Sequence, residues 1–354
     1  MSAEFSLYPW QKQDWQNFQQ LSKRLPHGLL LTGVSGGGKL RFALNMAKSL
    51  LCETKNGCDQ CNNCALFGAG SHPDLHLVFT ELLTANQDET IKAYSGRYLE
   101  DFEKAKKRKP RRIISVDQIR ELIRNASLSH HSATHKVIII APADKMNINA
   151  SNALLKLLEE PPEDTVLILV SSSPEILPVT IRSRCVPLVI NTPEHENAMA
   201  WLKAQHPNEE VSLLMRALNL SSGGPLQASL AIGNGDLIDF DTMLAALDGL
   251  FSGKDNPITV SDKLSKLFDG RRFIDWLQSL VKTALEAESN GSQASSLAIH
   301  DGLRGALTAV PKSTLFGFYD QLIEYKRHDV EQLNQQLLIE QILLKLTAMR
   351  VKRA

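Results

Sequence analysis

The chain has 354 residues, 43% of them hydrophobic, and its 39 Lys and Arg balance its 39 Asp and Glu to a formal net charge of zero. Two or three domains with real cores are expected at this size, and a globally basic nucleic-acid wrapper is excluded, so any contact with DNA needs a local patch or a partner. No long apolar run is free of charge, so no membrane span is expected. The opening stretch MSAEFSLYPWQKQDW lacks a basic start followed by an apolar segment, and the expected location is the cytoplasm.

In chain order, LLLTG at 29–33 reads as a buried strand that runs into GVSGGGKL at 33–40. The phosphate-loop template is G-x-x-x-x-G-K followed by Ser or Thr. Gly33, Gly38 and Lys39 fall in register, and Leu40 stands where the magnesium hydroxyl belongs. Residues 39–51 predict a helix with Phe42, Ala43, Met46, Ala47, Leu50 and Leu51 on its apolar side. Next comes CETKNGCDQCNNC, which sets Cys52, Cys58, Cys61 and Cys64 in the spacing C-x5-C-x2-C-x2-C. Four thiolates make a closed tetrahedral zinc site, which folds a loop rather than catalysing. A ferredoxin-type cluster is the rival, but its C-x2-C-x2-C-x3-C-P run would need cysteine at position 68, which is Gly68. His72 is a spare ligand that four cysteines make unnecessary.

Residues 83–112 end in a basic run: Lys104, Lys106, Lys107, Arg108, Lys109, Arg111 and Arg112. A solvated insertion is the simpler reading, and salt-dependent phosphate contact is the alternative. Tyr94 and Tyr98 lie nearby without forming a stacking platform. KVIIIAPAD at 136–144 and TVLILVSSS at 165–173 are two more buried strands, and SNALLKLLEEPP at 151–162 is a helix stopped by Pro161-Pro162. Apolar runs separated by helices indicate a parallel α/β sheet. After residue 190 the signals are helical. Thr192 is the expected N-cap of a helix with Pro193 in its first turn, SSGGPLQA at 221–228 turns into another, and SNGSQASS at 289–296 reads as a flexible connection. The last helix, 331–350, carries a core stripe of Leu333, Leu337, Leu338, Ile342, Leu343 and Leu346.

A hydrolysing phosphate-loop enzyme needs loop amides, a lysine, a magnesium hydroxyl and acidic residues at a neighbouring strand end. Leu40 has no hydroxyl, and the strand VIII ends on Ala141-Pro142. Asp144 comes three residues late and is expected in the following turn. Hydrolysis by this chain alone is therefore not expected, and ATP binding is doubtful. Two readings of the loop stand side by side. Gly33, Gly38 and Lys39 keep weak nucleotide or phosphate binding, or the glycines remain for strand–helix packing.

GVSGGGKL, the cysteine module, HPDL (72–75), SNALLKLLEEPPEDT (151–165) and LPVTIRSRC (177–185) occur in that order. In this the chain resembles the AAA+ clamp-loader family of bacterial DNA polymerase III, and within it the delta-prime type. The likeness covers residues 1–230 and beyond that rests on helical character and NQQLLIEQILLKL. It implies a RecA-like AAA+ domain over 1–190 with a zinc module at 52–64, a helical lid over 191–240 and an all-α collar over 241–354. The implied function is loading the sliding clamp onto primed DNA, within a DNA-directed DNA polymerase (nucleotidyltransferase) holoenzyme. The implied partners are ATP-binding motor subunits and a delta-type subunit. The clamp is reached indirectly, and primed DNA through the complex.

The SRC triplet matches Arg184 to an arginine that acts in trans on a neighbour's ATP. A guanidinium can neutralise a transferring phosphoryl group, worth about a thousandfold or more in related systems. The bland alternative for Arg184 is an ion pair with a surface carboxylate. Arg182 points elsewhere in this reading, and Cys185 is a small buried hydrophobe. Motor members carry a sensing arginine where GGPLQA places Leu226, and a sensing threonine where this chain has Ser171-Ser172-Ser173. The expected role is a non-hydrolysing, stator-like subunit. One alternative is an active ATPase motor of the same assembly, which Leu40, Ala141, Pro142 and Leu226 oppose. Another is a zinc-module nucleic-acid binder with an incidental loop.

Overall fold

The computed structural model describes residues 7–99, 110–127, 133–287, 303, 305, 307, 309–327 and 333–349. It divides into two compact units, Met1–Glu194 and His195–Ala354. The basic residues Lys104, Lys106, Lys107, Arg108 and Lys109 lie outside the described residues, as does the 289–296 connection.

The first unit is built on five parallel strands: β1 (Gly28–Thr32), β2 (Leu75–Phe79), β3 (Lys136–Ala141), β4 (Thr165–Val170) and β5 (Val186–Val189). Their spatial order is β2-β3-β4-β1-β5. The helices are α1 (Lys12–Leu21), α2 (Lys39–Leu51), α3 (Asn62–Gly68), α4 (Glu81–Ala85), α5 (Glu89–Ser95), α6 (Val116–Ala126), α7 (Ile148–Glu159) and α8 (Val179–Arg182). Alternate strand residues point to opposite faces, and the cores follow that rule. Leu29, Leu31, Leu77, Ile139 and Ile168 pack on one face with Phe42 and Met46 of α2. Leu30, Val78, Ile138 and Leu167 pack on the other with Leu122 of α6 and Leu154 of α7. Burial on both faces is why β1, β3 and β4 read as unbroken apolar runs.

Two strands do not announce themselves. β2 is five residues with a histidine inside it. β5 contains Pro187, and Val186, Pro187 and Val189 are exposed, because β5 is an edge strand. Proline cannot donate to a ladder, so it is confined to such edges. Tyr94 and Tyr98 are buried, at 0% and 4% exposure, and turn inward. The Tyr94 hydroxyl accepts from the His72 N–H at 3.0 Å and donates to the Leu66 and Phe67 carbonyls at 3.1 Å. The Tyr98 hydroxyl pairs with His76 Nδ1 at 2.5 Å.

The second unit is helical: α9 (His195–Gln205), α10 (Val211–Leu220), α11 (Pro225–Asn234), α12 (Asp236–Ser252), α13 (Pro257–Leu267), α14 (Gly270–Ala287), α15 (Lys312–Arg327) and α16 (Gln335–Ala348). Most of its buried apolar side chains among the described residues form one cluster running from Ala198 to Leu346. α9 begins at His195, three residues beyond the expected cap at Thr192, so Pro193 precedes the helix. α16 buries Leu338, Ile342, Leu343 and Leu346, whereas Leu333 and Leu337 are exposed. The predicted stripe is therefore core along one side only.

Candidate functional site

The phosphate-type loop leaves the C-terminal end of β1 and enters α2, whose N-cap is Gly38 at φ 89°. Ligands of open parallel sheets bind beyond the C-terminal strand ends. Ser171–Ser173 follows β4, Ile190 follows β5 and Ala141 ends β3, so the residues singled out in the sequence converge on this edge. Thr32, Gly33, Val34, Ser172, Pro174, Val189, Ile190, Asn191 and Thr192 line a cavity of ≈ 460 Å³ there.

Lys39 is 6% exposed and turned back onto its own loop. Its ammonium donates to the Gly33 carbonyl (2.9 Å), the Val34 carbonyl (2.7 Å) and Ser172 Oγ (2.8 Å). An ammonium has three donors, and all three are used. Burial draws the lysine down to about 8, against the opposing pull of the Asp144 carboxylate. Asp144 sits in the 3-10 turn Ala143–Lys145 after β3 and accepts a 2.7 Å hydrogen bond from Ser171 Oγ. Leu40, the second residue of α2, is half-buried against the core. Leu226, in the second unit, lies in the first turn of α11.

Sequence reasoning missed the grip on the loop from the N-terminal segment. Trp10 Nε1 donates to the Gly37 carbonyl at 3.0 Å, and the buried Gln11 amide donates to the Gly37 and Gly38 carbonyls at 3.2 and 3.1 Å. Tyr8 stacks on Trp10 with ring centroids 4.8 Å apart, and the Arg41 guanidinium lies 4.4 Å above the Tyr8 ring. A Cβ on Gly38 would come 2.6 Å from that ring. The signal was present as YPWQ, but nothing local ties it to glycines 26 and 27 residues away.

The cysteine cluster closes at the other end of α2. Cys52 is the C-cap of α2 and Cys61 the N-cap of α3. Lys55, Gly57 and Asp59 adopt positive φ and bend the chain back between them. The four Sγ atoms of Cys52, Cys58, Cys61 and Cys64 lie within 4.8 Å of one another, and this group could hold a metal ion. A tetrahedral zinc–thiolate site, with bonds of about 2.3 Å, sets sulfurs about 3.8 Å apart, so little adjustment is needed. Backbone N–H groups aim at the sulfurs: Cys58 at Cys52 (3.3 Å), Cys61 at Cys58 (3.4 Å) and Cys64 at Cys61 (3.4 Å). Burial acts to raise the Cys52 thiol, but hydrogen bonds from Cys58 and Thr54 outweigh it and bring the group down to about 5. Burial pushes the Cys64 thiol up instead, so a metal held by all four would have to displace its proton. Lys48 anchors the loop to α2 through Asp59 at 2.5 Å, and Asn63 Nδ2 donates to the Leu51 carbonyl at 3.0 Å. His72 is fully buried, and its Nδ1 accepts from the Asp74 N–H at 3.1 Å; the cysteine group does not include it.

Arg184 lies between α8 and β5, at the N-terminal edge of the sheet. A Cβ on Gly28, the first residue of β1, would stand 3.0 Å from the Arg184 carbonyl. The loop leaves the opposite end of β1. A five-residue strand at about 3.3 Å per residue separates the two by about 16 Å. The Arg184 guanidinium donates to the Thr180 carbonyl (2.9 Å) and pairs with Glu159 Oε1 (2.6 Å). Cys185 is buried, which pushes its thiol up to about 11.

The glycine that opens the loop is set by packing. Gly33 has φ 143°, and a Cβ there would lie 2.5 Å from the backbone oxygen of Ile190. Gly33→Ala is predicted to lower the unfolding free energy by about 2 kcal/mol or more, through strained backbone and overpacking. Urea unfolding without nucleotide measures it. An unchanged midpoint would mean that the strand end yields and that packing does not explain the glycine.

Comparison with known proteins places the chain in a family. A family profile described as "DNA polymerase III, delta subunit" matches residues 10–194, ending where the first unit ends. The chain is 36% identical over 234 residues to the DNA polymerase III subunit delta-prime of Pseudomonas aeruginosa, an alignment spanning 65% of this chain and 62% of that one. It is 29% identical over 301 residues to the subunit of the same name from Yersinia pestis, covering 81% and 78%. It is 26% identical over 347 residues to that of Escherichia coli K12, covering 96% and 95%. The chain belongs to the DNA polymerase III delta-prime subunit family.

Proposed function

We propose that this chain is a non-hydrolysing, stator-like subunit of a DNA polymerase III clamp loader that donates Arg184 to the ATP site of a neighbouring motor subunit. The observation that carries the reading is the position of Arg184. It stands at the far end of β1 from the chain's own loop, so a phosphate that it meets belongs to another chain. The loop supports the other half of the reading: Lys39 has all three donors engaged, Leu40 offers no hydroxyl, and Ala141 and Pro142 offer no carboxylate. Asp144 does approach Lys39, but its Oδ1 is engaged by Ser171.

In this reading residues 1–190 are the RecA-like AAA+ domain, 191–240 the lid and 241–354 the collar. α12 (Asp236–Ser252) runs unbroken across residue 240, and the nearest break between helices is at Gly235, with φ 74°. The partners are motor subunits and a delta-type subunit, with the clamp and primed DNA met through the complex, in the cytoplasm. No helix among the described residues is long and apolar enough to cross a membrane. We propose zinc as the occupant of Cys52, Cys58, Cys61 and Cys64, in a closed structural role.

Two predictions follow from the two sites. Arg184→Ala in a reconstituted loader with wild-type neighbours should lower clamp- and DNA-dependent ATP turnover, by about a hundredfold or more at the site concerned; unchanged turnover would remove the finger role. Elemental analysis should find about one zinc per chain, lost with Cys61→Ser or a strong chelator, and its removal should lower the thermal midpoint. A chain that keeps its midpoint and carries no zinc when prepared with zinc present would refute the metal assignment.

A further inference from the structure

We infer that Glu159 is a positioning residue that competes with phosphate for Arg184, holding the guanidinium until a neighbour's nucleotide displaces it. The inference rests on the proposed finger role of Arg184. Arg184 NH1 donates to the carbonyl of Thr180, in α8, at 2.9 Å, and NH2 meets Oε1 of Glu159, the last residue of α7, at 2.6 Å. These are the two terminal nitrogens of the guanidinium fork, the pair that would grip a phosphate bidentately. The fork is therefore committed within the chain, at the C-terminal ends of two helices, where backbone carbonyls also favour a cation.

The local sequence builds this contact. Gly28 lets the Arg184 backbone approach the start of β1, and its Cβ would also come 3.3 Å from Leu158 Cδ2, so the end of α7 and the SRC segment meet over one glycine. Glu160 then leaves helical geometry and Pro161-Pro162 follows, which fixes Glu159 at the helix end. The Arg184 and Glu159 side chains are 36% and 49% exposed. A pair this open is worth up to about a fivefold factor in an equilibrium and is screened by salt. It is strong enough to hold the arginine in one rotamer and weak enough for a multiply charged phosphate to replace it.

The test uses the complete loader carrying wild-type chain, Glu159→Gln, Arg184→Ala or the double variant, with clamp and primed DNA. ATP turnover is followed against ATP concentration at low and moderate salt. Glu159→Gln should raise kcat about two- to fivefold at low salt. The gain should shrink as salt rises and vanish in the Arg184→Ala background. Thermal midpoints of wild type and Glu159→Gln should agree. If Arg184→Ala lowers turnover while Glu159→Gln leaves it unchanged or lowers it, the competition is refuted and the finger survives. A gain that persists without Arg184 also refutes it. If Arg184→Ala has no effect, the finger reading fails and this inference falls with it.

Discussion

The close approach of β5 to β1 is the constraint on which the rest depends. Glycine stands at both ends of that approach. At Gly28 a Cβ would lie 3.0 Å from the Arg184 carbonyl, and at Gly33 one would lie 2.5 Å from the Ile190 carbonyl. The register between them is continuous, from Leu29 opposite Val186 to Thr32 opposite Val189. Because β1 is flanked by β4 on its other side, it has no free edge and no free face. One strand thus fixes the phosphate-type loop at one end and the SRC arginine at the other. The two cannot serve a single phosphate.

The loop keeps the shape of a nucleotide site while Lys39 and the carbonyls of Gly33, Val34, Gly37 and Gly38 are engaged internally. Lys39 closes onto the carbonyls of Gly33 and Val34 and onto Ser172. Trp10 and Gln11 hold the carbonyls of Gly37 and Gly38 from outside. Buried polar groups are costly unless paired, and this network pairs the Lys39 ammonium and those carbonyls within the chain. Gly33 and Gly38 both sit where a Cβ would collide, with the Ile190 carbonyl and the Tyr8 ring, so packing alone requires glycine there. The four-cysteine cluster sits at the opposite end of α2 and is tied to that helix by Lys48 and Asn63. A metal there would stiffen the C-terminal end of the helix whose N-terminal end the loop begins.

Much of the first unit was legible because it obeys short-range rules. The helix expected at 39–51 is observed as Lys39–Leu51, since its apolar spacing and glycine start are both local. β1, β3 and β4 were legible because burial on two faces leaves little but Leu, Ile and Val. β5 was hidden because an edge strand tolerates Pro187 and exposed residues. The cysteine cluster was legible from spacing, since four thiols so close in sequence have few ways to avoid one another. The grip of Trp10 and Gln11 on the loop was not legible, and neither was the pairing of Arg184 with Glu159. Both join groups 25 to 27 residues apart through the fold. The cap expected at Thr192 failed for a related reason. Capping residues favour a helix start, but the chain leaving β5 takes up no regular structure until His195.

The central claim is that this chain completes a neighbour's site and does not turn over ATP itself. ATP turnover by the purified chain alone, with zinc retained and contaminating ATPase excluded, tests it most directly. No turnover is predicted, even at saturating ATP and magnesium. Sustained turnover that Lys39→Ala abolishes would contradict the claim and make the chain a motor in its own right.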